Sequence, residues 1–234
     1  MIKHKSVGIA ARDKVFDGVN SVDEMCRAIR DSSDIHNSLN ISPKNYDPDD
    51  GEPFDIYADR KVYRGDMFEI FVEYFLQAME NDKEIGVREV EPVPLDEDLG
   101  VDFIGKSTND HSTVSVQCKF KSNTSHVFNY HELSTFMSTA ALLHESVGRN
   151  QMLITTAIDS DARPVLRYTV KTVNPNMRVI DRTRLKYKVD NNKGFWDGFR
   201  KAIEDSKLLP VARTERILYD YQQDAVDTIK GWLA

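Results

Sequence analysis

Residues 99–122, LGVDFIGKSTNDHSTVSVQCKFKS, admit few folds. Two short apolar runs flank a polar segment, KSTNDH, that is long enough only for a turn, so the runs are expected to pair as antiparallel strands. Side chains along a strand alternate between its faces. In STVSVQCKFK this puts Val114, Val116, Cys118 and Phe120 on one face, and Thr113, Ser115, Gln117, Lys119 and Lys121 on the other. On the preceding strand Val101 and Phe103 point one way and Asp102 the other. Antiparallel pairing then sets Asp102 beside Gln117 and Lys119. A hairpin of this kind starts a sheet on which an acid, an amide and an amine share one surface.

The rest of the chain supplies the layers to cover such a sheet. RGDMFEIFVEYFLQAMEN carries Met67, Phe68, Phe71, Val72, Phe75, Leu76 and Met79 at helical spacing. VREVEPVPL reads as a strand ended by two prolines. After the hairpin, YHELSTFMSTAALLHES is an amphipathic helix, NQMLITTA a strand, SDARPVLRYT a short helix or turn interrupted by Pro164, and MRVID a further strand. KGFWDGFRKAIED is a third long helix. Upstream, SVDEMCRAIRDS is a short helix with Ser21 and Glu24 at capping-box spacing. The first three strands are close enough for a meander, and the later ones need helical crossovers. The expected fold is α/β, a mixed central sheet with helices on both faces. NYDPDDGEPFD has the acids of a calcium loop, but Pro48 breaks the ligand spacing, and it reads as a solvated linker.

Two cysteines, Cys26 and Cys118, cannot build a disulfide framework. The first residues lack the apolar core of a signal peptide, and no apolar run is long enough to cross a bilayer. A soluble, cytoplasmic protein is expected. The net charge of -7 does not favour a polyanionic partner overall, although a basic face can sit on an acidic protein.

The Asp102, Gln117, Lys119 set suits one chemistry well. Magnesium, with manganese as a substitute, takes hard oxygen ligands. Asp102 offers a charged oxygen, Gln117 a neutral one, and the Cys118 backbone carbonyl a third. Lys119 beside them could act on water or stabilise charge on a phosphate, so the set could hydrolyse a phosphodiester. The plain alternative is an exposed polar sheet face.

GVDFIG…VSVQCKFK resembles the core of the PD-(D/E)XK nuclease superfamily, in particular its Mrr-like restriction endonuclease branch, with an Asp on one strand and Q-x-K on the next. The resemblance spans roughly residues 63–188 and implies a restriction-endonuclease-like fold and magnesium-dependent DNA cleavage. It also implies a site role for Glu69, which follows Phe68 as in the Phe-Glu pair of the branch's upstream helix. The chain departs from the wider superfamily in having Gln117 where an acid is usual, and no Pro directly before Asp102.

Basic residues concentrate in the second half of the chain. Lys121, Arg163, Arg167, Arg182 and Lys186 are the expected contacts to the DNA backbone. At the end, Leu218, Tyr221, Gln222, Ala225 and Val226 resemble the segment that opens superfamily-two helicase motors, and no phosphate-binding loop follows within the chain. The expected organisation is an N-terminal helical and loop extension (1–62), a nuclease domain (63–190), and C-terminal helices (191–234) leading to a helicase or translocase motor as partner. An inactive DNA-binding module or a protein-docking domain remain alternatives.

Overall fold

The computed structural model describes residues 1–38, 60–94 and 100–206. The linker around Pro48 and the helicase-like segment at 218–226 lie outside the described residues. In chain order the elements are α1 (Val7–Arg12), α2 (Val22–Ser38), α3 (Arg60–Ala78), β1 (Val87–Pro92), β2 (Phe103–Ser107), β3 (Thr113–Lys119), α4 (Tyr130–Leu143), β4 (Gln151–Thr155), α5 (Tyr168–Val173), β5 (Arg178–Ile180), α6 (Arg182–Val189) and α7 (Phe195–Ser206).

The five strands form one sheet in the order β1-β2-β3-β4-β5. β1, β2 and β3 are an antiparallel meander, while β3–β4 and β4–β5 are parallel and are joined through α4 and α5. This is the mixed sheet with helices on both faces that the strand spacing implies. The alternation in β3 sorts its residues between two cores. Val114, Val116 and Cys118 join α3, α2 and α7 on one side. Leu133, Phe136, Met137 and Ala140 of α4 form the other core with Leu153 and Val170. The sheet is covered on both faces, so Ser115 and Gln117, on the α4 side, are buried rather than exposed.

α3 is the central helix. Its apolar positions are buried as the spacing requires, and so are Asp66 and Glu73. Phe71 stacks between Phe68 and Phe75 of its own helix and meets Phe195, Trp196 and Phe199 of α7, with ring centroids about 6 Å apart. The aromatic cluster ties α7 to α3, and residues of α1 and α2 enter the same core.

Local chemistry sets several boundaries. The Glu24 amide donates to Ser21 Oγ at 3.2 Å, but the Glu24 carboxylate turns back to the Asn20 amide, so only half of the expected reciprocal cap forms at α2. At α4 the cap is complete, between Asn129 and Glu132. Pro164 lies in the turn ahead of α5, not inside a helix. α1 and α6 are short helices with no strong apolar period, and the sequence pattern does not reveal them. No helix among the described residues is long and apolar enough to cross a membrane.

Candidate active site

Asp102 sits one residue before β2, yet its backbone continues the pairing on both sides. Its amide donates to the Val116 carbonyl at 3.0 Å and its carbonyl accepts from the Val93 amide at 3.0 Å. The turn that brings the chain in is fixed by Gly100, whose φ of +88° favours glycine. A Cβ there would stand 3.4 Å from the Phe136 amide nitrogen and 3.6 Å from Gln117 Nε2.

From this position the Asp102 carboxylate accepts the Cys118 amide at 2.5 Å. An extended residue points its amide and carbonyl towards the same neighbour. The Cys118 carbonyl therefore faces the side of β3 that carries Asp102. The Cys118 thiol itself is buried, and burial, with Asp102 and Glu69 nearby, pushes it well above the usual thiol range. It is a packed core thiol, not a nucleophile.

Asp102, Cys118, Lys119 and Lys121 line an open cleft of about 560 Å³, with Asp66 and Glu69 of α3 on its opposite wall. Lys119 is half-buried there, and its ammonium makes no hydrogen bond or ion pair with any described residue. The structure thus brings Asp102, Lys119 and Glu69 to one cleft.

Gln117 is placed differently. Its Nε2 donates to the Gly100 carbonyl at 2.8 Å, and its side chain is absent from the cleft lining. Its Oε1 is buried and has no hydrogen-bond partner. Leaving such an oxygen unsatisfied costs roughly 1–3 kcal/mol. That orphaned oxygen lies outside the cleft lining, so the donors the cleft itself offers a hard cation such as magnesium or manganese are the Asp102 carboxylate and the Cys118 carbonyl, and Gln117 adds a neutral oxygen only after its side chain rotates.

Sequence reasoning passed over several groups at this cleft. His4 Nε2 lies 3.0 Å from Glu69 Oε2, and Ser6 Oγ donates to Asp66 Oδ2 at 2.6 Å. Arg64 lines the cleft and binds Ser33 and Asp34 of α2. Acids at 66, 69 and 73 among the apolar positions of α3 were the available signal.

The expected DNA contacts divide into two groups. Lys121 lines the cleft, ion-pairs with Glu132 at 2.9 Å and lies over the Phe128 ring. Burial works against the Glu132 carboxylate, but Lys121, the Asn129 amide and His126 together hold it below its usual range. Arg163 and Arg167 are exposed, and Arg163 reaches Ser125 Oγ at 3.0 Å. Arg182 and Lys186 both close on Asp23 of α2, at 2.8 and 2.6 Å. The hydrogen bond from Lys186, followed by Arg182, lowers the Asp23 pKa against the effect of burial. Much of their charge is therefore spent inside the fold. A groove lined by Asp23 and Arg182 also exposes Arg27 and Arg30 of α2, and it shares Phe120, Lys121 and Ser122 with the candidate cleft.

The mixed five-stranded sheet flanked by helices is consistent with a restriction-endonuclease-like fold. Residues 87–196 match the family model described as restriction endonuclease, so this part of the chain is similar to that family. No curated protein and no solved structure matches the chain.

Proposed function

We propose that the protein is a metal-dependent DNA endonuclease, in which Asp102 and the Cys118 carbonyl hold magnesium and the Gln117 Oε1 joins them once its side chain turns from the Gly100 carbonyl. The observation that carries this reading is the Asp102–Cys118 link beside an unpartnered Lys119 in one cleft. A divalent cation held there would supply positive charge to a phosphate oxygen and lower the pKa of water. Lys119 orients the attacking water and stabilises the charge that builds on the phosphate. Water attacks phosphorus, one P–O ester bond breaks, and the departing oxygen takes up a proton. Glu69, from α3 on the same cleft, would support the ion through an intervening water. Lys121 and the groove that runs to Arg27 and Arg30 hold the DNA backbone without reading sequence.

In the full protein this activity would work beside a helicase or translocase motor, a proposal that rests on the resemblance at residues 218–226. The experiment is incubation of the protein with supercoiled plasmid. Nicking with Mg2+ or Mn2+ that stops on chelation is the expected result. Cleavage that survives chelation, or binding with no cutting at all, overturns it in favour of a metal-independent enzyme or an inactive DNA-binding module.

A further inference from the structure

We infer that His4 is a positioning residue of this site, holding the Glu69 carboxylate in the cleft; the inference rests on the nuclease reading given above. The family match begins at residue 87, so neither His4 nor α3 belongs to it.

The segment Lys3–Ser6 runs along α3 and meets its acids in reverse order. Glu73, fully buried, accepts the Lys3 amide at 2.7 Å and the His4 amide at 2.9 Å. One turn back, His4 Nε2 meets Glu69 Oε2 at 3.0 Å. A further turn back, Ser6 Oγ donates to Asp66 Oδ2 at 2.6 Å. Burial drives the Glu73 carboxyl up, and the two amides pull it back. The Ile2 amide bonds Ser206 Oγ of α7, which anchors the segment at its other end.

The ring of His4 has only one arrangement of its proton that satisfies these bonds. Nδ1 accepts the Ser6 amide at 3.2 Å, so the proton lies on Nε2 and is donated to Glu69. His4, Asp66 and Glu69 lie close enough together to resemble a cation site. The Nε2 lone pair is not available for that purpose, because Nε2 carries the proton. His4 therefore acts through Glu69, as partners behind a ligand do elsewhere. It is 6% exposed, and the ring is held on both nitrogens.

The test uses the 234-residue chain and two substitutions that fill the same space. His4→Gln keeps an N–H donor, and His4→Leu does not. Mn2+ affinity is read by electron paramagnetic resonance, and plasmid nicking is read on the same samples. Thermal melts select conditions in which every variant is folded. His4→Leu is expected to weaken Mn2+ binding about tenfold, the scale seen for outer partners of metal ligands. His4→Gln should recover most of that loss, and His4→Leu should add nothing on a Glu69→Gln background. Wild-type affinity in His4→Leu, or equal losses in His4→Leu and His4→Gln, overturns the role of His4 while the nuclease reading stands. So does a His4→Leu loss that persists at full size with Glu69→Gln. A wild-type protein that neither binds Mn2+ nor cuts overturns both.

Discussion

The Asp102 carboxylate and the Cys118 amide are joined by a hydrogen bond that ties the start of β2 to the end of β3. It holds an acid at the sheet end where the β3 backbone delivers Lys119 to the same cleft. The Gly100 turn, the Asp102 backbone bonds and the parallel pairing of β3 with β4 all serve this placement.

Gly100→Ala should therefore damage both fold and site. A side chain at φ +88° is strained, although the added carbon would meet Phe136 and Gln117 only at ordinary contact distance. A loss of about 1–3 kcal/mol in urea unfolding is expected, with reduced cleavage because Asp102 follows two residues later.

Gln117→Glu exchanges the orphaned oxygen for a buried carboxylate. Without metal the variant should melt several degrees below wild type, since an unpaired buried charge is costly. Added Mn2+ should raise its melting temperature by more than it raises the wild type's. Calorimetric melts with and without MnCl2 check this, and equal shifts would remove Gln117 from the ligand set.

The candidate site was readable in sequence where local periodicity decides the geometry. Alternation in β3 separated Gln117 and Lys119 from the Val116 face, and the short turn fixed the antiparallel partner that carries Asp102. Burial of Gln117 was not readable, because it depends on α4 closing over that face. Glu69 was singled out through resemblance, beside the weaker signal of acids recurring along α3. His4 reaches it across sixty-five positions, and no spacing rule spans that distance. The pairing of Arg182 and Lys186 with Asp23 was not readable for the same reason, because Asp23 lies 159 and 163 positions away. α6 was missed because RTRLKYKV buries only Leu185 and Val189.

That neutralisation gives a prediction about DNA affinity. Asp23→Asn removes the charge that binds Arg182 and Lys186, and should tighten DNA binding several-fold at low salt. The Arg27→Ala, Arg30→Ala double variant should weaken binding alike on all sequences and reduce the salt slope by about 2. Fluorescence anisotropy over a salt series measures both.

Asp82 gives an acid-linked stability effect. Burial opposes its ionisation, but Lys188 and the amides of Ile85 and Glu84 outweigh that, so its folded pKa is lowered. A lowered carboxylate contributes stability above its unfolded pKa, near 3.9, and loses it as pH falls through the folded value. Asp82→Asn should lower the melting temperature at pH 7 and flatten its decline below about pH 4. Parallel melting curves for wild type and variant across that window would contradict this.

The most direct measurement compares plasmid nicking with Mg2+ by wild type, Asp102→Ala and Lys119→Ala, all shown to be folded. The cleft geometry predicts cutting by the wild type and losses of about 100-fold or more in each variant. Equal nicking by all three would contradict the assignment of this cleft as the place where DNA is cut.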